Sequence, residues 1–350
     1  MTTANVTRPD KYGVLLLNVG SPDKPETPAV RRYLREFLSD PRVIDIPAWK
    51  RWLILNLFIL PFRPQKSAEA YRAIWETGGS PLITISEAFA AALRKELPEA
   101  RIALGMAYGS PSITDGFREL LDQGVNRVVL APMFPQYASA TTGSVLTAAY
   151  TYAALQNNVP SVVAAPPFYN DPGFLNAWEA LARPYLAEFE PDHVLLSFHG
   201  LPERQIRKSD PTGAHCLCRP DCCEMAVPAN EYCYRHHCIE TAKGLVTRLG
   251  LEPDRYSVAF QSRLGREPWL TPATDERIEA LAKSGVKRLA VLCPAFVADC
   301  LETLEEIGIQ GKEAFLDNGG TDYVQVPCLN ADPAWVRAFA GLLRARCGVE

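Results

Sequence analysis

His193-Val194-Leu195-Leu196-Ser197-Phe198-His199-Gly200-Leu201-Pro202 is the stretch on which the reading of this chain turns. Val194, Leu195, Leu196 and Phe198 form an apolar run of buried-strand type. Gly200 and Pro202 end it, because neither residue continues a central strand comfortably. His199 is thereby placed at the carboxyl end of a strand, the edge of an open parallel sheet where the chain turns and leaves a crevice for ligands. A lone histidine is ordinarily structural; this position argues for function.

The same unit recurs on either side. Apolar runs at 12–19, 101–108, 127–132 and 161–165 precede it, and runs at 257–261, 288–293 and 323–326 follow. Helical periodicity fills the gaps, at 30–38, 68–75, 86–97, 113–123, 173–188, 239–249, 274–284, 299–307 and 333–345. This alternation predicts an α/β fold of two Rossmann-like domains, each a parallel sheet flanked by helices. Pro166-Pro167 and Asn170-Asp171-Pro172 mark the crossing between them. The expected division is 8–166, then 167–330, then a helix in 331–350 that packs back on the first domain.

The 350 residues are 47% apolar and 22% charged, as in an ordinary globular protein, and the net charge of -4 argues against a nucleic-acid partner. Residues 1–10 are polar with no signal-peptide core, which predicts a reducing, cytoplasmic location. Disulfides are rare there, so six cysteines of the ten within 216–238 point to a metal. The spacing is C-x-C-x3-C-C-x9-C-x4-C, without the C-x2-C knuckles of structural zinc sites, and four thiolates can equally hold an iron-sulfur cluster. His215, His236 and His237 are weaker ligands where sulfur is plentiful.

Three further stretches carry candidate chemistry. WKRWLILNLFILPF at 49–62 is apolar nearly all round and flanked by Lys50, Arg51, Arg63 and Lys66. It falls short of the ~20 residues a bilayer span needs. It reads as a buried helix, or as an apolar lip that covers a greasy ligand or dips into a membrane surface. FPQYASATTGS at 134–144 reads as an aromatic, hydroxyl-rich loop after a strand end. In PAFVADCLETLEE at 294–306, Asp299, Glu302 and Glu306 are spaced by three and four and form one acidic stripe on a helix. Such a stripe is a solvated face or, set against a second strand end carrying His199, a path for protons or a divalent cation.

With these motifs in place, the chain resembles the ferrochelatases over nearly its whole length. The resemblance rests on GVLLLNVGSP, RRYLREFLSDPRVID, RPQKSAEAYRAIW, GGSPL, FPQYASATTGS, SFHGLPER, QSRLGREPWLTPATDE and CPAFVADCLETLEEIG, in the family's order. It implies insertion of ferrous iron into protoporphyrin IX to give protohaem, with the porphyrin in the cleft between the two domains. It makes His199 the group that takes the pyrrole protons or helps place the metal, and Glu302 its partner across the porphyrin. Asp299 and Glu306 extend the acidic path. Tyr137 and Ser144 lie near the porphyrin, Trp269 is a pocket wall, and the segment from Trp52 to Phe62 is the pocket lip, in peripheral contact with the inner membrane.

Two departures stand out. Ala107 occupies a position where the family often has an arginine. The insertion 211–238 is similar to that of a bacterial subgroup with an internal 2Fe-2S cluster. Four of Cys216, Cys218, Cys222, Cys223, Cys233 and Cys238 would then be ligands. Cys216, Cys223, Cys233 and Cys238 are favoured, because the adjacent pair and the close pair would not all ligate together. Since Cys216 follows well after His199, the cluster is expected to be structural or sensing. The rival readings are a cobalt chelatase of cobalamin synthesis, which would not need the apolar lip, and a non-catalytic iron-sulfur or haem-sensing protein, which would not need both His199 and Glu302.

Overall fold

The computed structural model of the chain describes residues 12–349 apart from 264 and 266. The polar stretch 1–10, the start of the 8–166 division and the end of the 331–350 division fall outside the described residues, as do Leu264 and Arg266 of the QSRLGREPWL motif. Among the described residues, eight parallel strands build two four-stranded sheets. The first contains β1 (Tyr12–Ser21), β2 (Arg101–Gly109), β3 (Arg127–Pro132) and β4 (Ser161–Ala164), in the order 2-1-3-4. The second contains β5 (His193–His199), β6 (Tyr256–Gln261), β7 (Arg288–Leu292) and β8 (Asp322–Gln325), in the order 6-5-7-8. Central strands covered on both faces must be apolar throughout, and Val14 to Leu17 in β1 and Val194 to Phe198 in β5 are buried without a break.

Helices α1 (Thr27–Ser39), α2 (Ala48–Ile54), α3 (Arg63–Ile74), α4 (Pro81–Glu96), α5 (Ile113–Asp122) and α6 (Ser144–Ala154) belong to the first half of the chain. The second half carries α7 (Pro172–Phe189), α8 (Glu203–Lys208), α9 (Tyr234–Leu249), α10 (Thr274–Lys283), α11 (Lys312–Asp317) and α12 (Pro333–Cys347). Three π-helical segments, Leu55–Ile59, Ser139–Gly143 and Glu302–Gly311, interrupt this scheme.

One hydrophobic core runs through both halves, joining Leu16 and Phe89 to Trp178, Phe198, Trp335 and Phe339. Helix α12 is wedged into it between α4 and α7. Its Trp335 ring lies 6.1 Å from Phe89 and 5.7 Å from Phe174. Its Arg344 donates to the Glu96 carbonyl at 2.8 Å.

Two sequence expectations change. The stretch read as a loop at 134–144 becomes helical from Ser139, and the alanine-rich α6 behind it escaped notice. The apolar segment 49–62 is not a buried helix: only Leu55 and Leu60 enter the core, whereas Trp52, Phe58 and Phe62 are 61%, 68% and 74% exposed.

At the amino end of β5, the His193 ring is neutral. Burial, with Arg277 nearby, lowers its pKa from 6.5 to about 4. Its Nε2 lies 2.9 Å from Ser257 Oγ on β6, which itself accepts from Arg277 Nε at 3.1 Å. A histidine depressed in the fold binds its proton first in the unfolded chain, so its contribution is complete above pH 6.5 and is lost as pH falls toward 4. Denaturant titrations should show stability declining across that window, with a shallower decline in His193→Gln.

Candidate active site

Parallel pairing of β5 with β6 sets His199 beside Gln261. The Gly200 N–H donates to the Gln261 carbonyl at 2.7 Å, and His199 Nδ1 lies 2.6 Å from the Gly200 carbonyl. A carbonyl only accepts, so Nδ1 carries a proton, and in the neutral tautomer the lone pair falls on Nε2. A Cβ at Gly200 would fall 2.7 Å from the Gln261 carbonyl and 3.2 Å from the Trp269 ring. Glycine is what lets the indole pack against the turn that holds His199. Trp269 Nε1 is buried there without a hydrogen-bond partner.

The second strand end follows β7. The segment Glu302–Gly311 is π-helical, its backbone bonded i→i+5 and wound more loosely than an α-helix, and residues four apart lie on adjoining turns. Glu302 and Glu306 thus stand one above the other and interact electrostatically with each other, and Glu306 does so with His199. Burial raises the Glu306 pKa, opposed by Ser262, whose N–H donates to the carboxylate at 2.8 Å, and by His199. Gln261 Nε2 donates to the Glu302 carbonyl at 2.8 Å, and Gln261 Oε1 accepts from Ser197 Oγ at 2.8 Å. Asp299 has a different position. Its oxygens accept from Thr303 Oγ1 at 2.9 Å, Asn330 Nδ2 at 2.8 Å and the Cys328 N–H at 3.2 Å, so it anchors the start of the helix.

Glu302 also faces the first half of the chain, within electrostatic reach of Tyr33 and Tyr71. Burial raises both phenol pKa values, so both stay protonated. From there, neighbouring aromatic rings form a wall. Trp75 and Tyr71 are 6.3 Å apart, Tyr71 and Tyr33 6.4 Å, Tyr33 and Phe37 6.0 Å, and Phe37 and Tyr108 5.2 Å. Sequence reasoning missed this wall. Its signal was the four-residue spacing of Tyr33 with Phe37 and of Tyr71 with Trp75, which puts each pair on one helix face.

The wall ends beside Ser144. That hydroxyl lies next to Tyr108, buried with no well-formed hydrogen bond, as is Thr142 Oγ1. The Tyr137 N–H donates to His237 Nδ1 at 3.1 Å, and its ring stands edge-on to Tyr232 at 5.1 Å. His199, Glu302 and Glu306 therefore meet as a group. Glu302 connects them to an aromatic wall that leads to Ser144, while Trp269 packs behind His199.

In the insertion, Cys216, Cys222, Cys223, Cys233 and Cys238 are buried and Cys218 is exposed. Cys233 lies within hydrogen-bonding reach of both Cys216 and Cys223, and the sulfurs of Cys222 and Cys223 are 3.9 Å apart. Arg235 Nη1 donates to Cys223 Sγ at 3.2 Å. Burial pushes the Cys216, Cys222 and Cys238 thiols up, and the contact with Cys233 does so for Cys223. The approach is pairwise. Among the described residues no three His, Cys, Asp or Glu side chains are grouped about one point as for a single metal ion. The histidines are occupied elsewhere, each with a ring nitrogen against a backbone carbonyl: His215 on Cys222, His236 on Cys223 and His237 on Glu231.

Two parallel sheets, the second carrying a histidine after β5 and two neighbouring carboxylates after β7 at one carboxyl edge, define a chelatase-like fold. SirB from Bacillus subtilis, solved with Fe3+, shares the fold at a TM-score of 0.55 and 13% identity, covering 96% of this chain and 95% of that one. The family is given by closer relatives. The chain matches the ferrochelatase family over residues 11–347. Proteins named ferrochelatase from Stutzerimonas stutzeri and Ectopseudomonas mendocina are 47% identical over 333 residues and 48% over 329. These alignments span 95% and 94% of this chain, and 97% and 96% of those proteins. The chain belongs to the ferrochelatase family, enzymes that join ferrous iron to a porphyrin in haem biosynthesis. The cobalt-chelatase and haem-sensor readings are not favoured by these relatives.

Proposed function

We propose that the chain inserts ferrous iron into protoporphyrin IX with His199 as the proton-accepting base. The observation that carries this is His199, its Nδ1 held by the Gly200 carbonyl, within electrostatic reach of Glu306, which interacts in turn with Glu302. Each porphyrin takes one Fe2+ and releases two N–H protons. A neutral imidazole takes a pyrrole proton, and a carboxylate whose pKa is raised by burial can pass it on, because donor and acceptor lie closer in proton affinity. The cation and the protons run in opposite directions along Glu302 and Glu306, with Asp299 holding the start of the helix. The macrocycle lies against the aromatic wall, with Tyr137, Ser144 and Trp269 at its edges. The buried polar atoms Ser144 Oγ and Trp269 Nε1, unpaired in the protein, support a polar-edged ligand there. The domain division at 166 and 330 belongs to the same reading, the cleft being the boundary.

The lip completes the site. Trp52, Phe58 and Phe62 form an exposed apolar patch flanked by Arg51 and Arg63, which suits an anionic membrane surface in a cytoplasmic, peripheral enzyme. No helix among the described residues is long and apolar enough to cross a membrane. Burying one phenylalanine is worth about 1.5–3 kcal/mol. Replacing Phe58 and Phe62 by serine should therefore weaken binding to anionic phospholipid vesicles by about 100-fold in co-sedimentation; unchanged binding refutes the membrane contact.

The insertion is read as the seat of a 2Fe-2S cluster on Cys216, Cys223, Cys233 and Cys238. The pairwise approach of Cys233 to Cys216 and to Cys223, with Arg235 donating to the Cys223 sulfur, supports this. Such a cluster supplies iron-thiolate bonds that stabilise the fold holding it, and thiols kept protonated by burial must lose their protons to bind it. Anaerobic reconstitution with iron and sulfide should give a visible iron-sulfur spectrum in the wild type and in Cys218→Ser, and none in Cys233→Ser.

The decisive assay is anaerobic haem formation from ferrous iron and protoporphyrin. His199→Ala should lower turnover by about 100-fold or more while still binding porphyrin, as measured by fluorescence. Wild-type turnover with an equally active His199→Ala removes the histidine from the chemistry, and no wild-type turnover overturns the reading.

A further inference from the structure

Arg42, in the loop after α1, is a half-buried cation without an anionic partner among the described residues. Its Nη1 donates to Ser139 Oγ at 3.0 Å and its Nη2 to Thr147 Oγ1 at 3.1 Å, both neutral hydroxyls. The nearest acid in sequence, Asp40, is spent elsewhere. One of its oxygens accepts the Arg42 backbone N–H at 2.6 Å and the other the Tyr108 hydroxyl at 2.7 Å.

The surroundings of the guanidinium are those of the porphyrin edge. A Cβ placed on Gly143 would lie 3.3 Å from Arg42 Nη1, 3.4 Å from Ser139 Oγ and 3.6 Å from the Tyr137 hydroxyl. The guanidinium and the phenol thus flank one bare stretch of backbone, next to the unpaired Ser144 hydroxyl. A guanidinium presents five N–H donors in a planar fork, and only two of its groups are used here. The unused donors match a bidentate carboxylate. On β2, which also borders the aromatic wall, Ala107 contributes a methyl group and no charge.

We infer that Arg42 holds a carboxylate of the porphyrin at the Tyr137 edge of the cleft, making it a specificity-determining residue for acidic tetrapyrroles. This rests on the ferrochelatase reading and names a charge-recognising group within it. The hydroxyls of Ser139 and Thr147 fix the guanidinium before the substrate arrives, so little side-chain entropy is lost on binding. The anchor acts on binding, with no part in proton transfer. Its removal therefore raises KM and leaves kcat in place.

The experiment uses mesoporphyrin IX and its dimethyl ester, which differ only in carboxylate charge, in the same detergent buffer. Binding is read by fluorescence and ferrous insertion by the appearance of the haem spectrum. Wild type should bind the diacid about tenfold more tightly than the ester. Arg42→Gln, which can still donate to the two hydroxyls, should lose about that factor for the diacid alone, with KM raised and kcat unchanged. Arg42→Lys should recover part of the discrimination. Diacid affinity unaltered in Arg42→Gln, or an equal loss for both probes, overturns the anchor while the enzyme still makes haem. A wild type that binds both probes without metallating either overturns the ferrochelatase reading instead.

Discussion

The Gln261 side chain is the joint on which the site depends. It is buried at the end of β6, with Oε1 accepting from Ser197 on β5 and Nε2 donating to the carbonyl of Glu302 at the head of the π-helix. Its backbone carbonyl accepts from Gly200, so the turn that holds His199 hangs on the same residue. A buried amide that uses both its acceptor and its donor fixes the distance between the groups it joins. Leaving either half unpaired there costs about 1–3 kcal/mol. The His199 turn and the acidic helix follow strands far apart in sequence, yet they share one hydrogen-bonded residue. Their mutual geometry is a property of the sheet, independent of any loop.

The π-helical winding of Glu302–Gly311 follows from what that helix must present. In an α-helix, residues four apart are offset by about 40° around the axis, and in the looser i→i+5 winding they likewise sit on adjoining turns of one side. Glu302 and Glu306 remain stacked, Asp299 is released to tie the helix start to Asn330 and Cys328, and the pair of carboxylates is brought toward His199. A stack of two acids in a buried place is unstable unless its charge is met. Ser262 and His199 meet that of Glu306 from one side, and the protonated phenols of Tyr33 and Tyr71 lie on the Glu302 side. Either a cation or a proton would relieve the remaining repulsion between the two carboxylates.

Much of this was legible in the residues. Parallel strands buried on both faces are continuous apolar runs, and every one of the eight strands was read within a residue or two of its observed ends. Strand ends then located His199 and the acidic helix, because the fold class dictates where crevices form. The aromatic wall was not legible in the same way. Tyr33 and Phe37 come from α1, Tyr71 and Trp75 from the end of α3, and Tyr108 from β2, so the wall exists only once helices and sheet are packed. Helix α6 was missed for a local reason, since its alanines and threonines carry no clear apolar period and follow a run of hydroxyls that resembles a loop. The lip was ambiguous because an all-round apolar helix fits either a core or a surface patch, and only packing distinguishes them.

The cysteine insertion is tied into the fold more widely than distance along the chain conveys. Cys216 follows His199 at some remove, which suggested a segment standing apart from the chemistry. Packing brings the insertion against the segment that carries Tyr137. His237 carries its proton on Nε2, directed at the Glu231 carbonyl within the insertion, and this leaves Nδ1 to accept the Tyr137 N–H. The same ring stacks on Tyr169 at 3.8 Å, and burial lowers its pKa to about 4, so the neutral tautomer persists at neutral pH. One residue further on is Cys238. Gln136 adds a second tie by donating to Thr241 on the same helix at 3.0 Å. Whatever orders the cysteine segment therefore also orders the backbone at Tyr137, because the two share the first turns of α9. The insertion is a buttress of the Tyr137 segment, and the structural state of the one and the backbone shape of the other are a single mechanical problem.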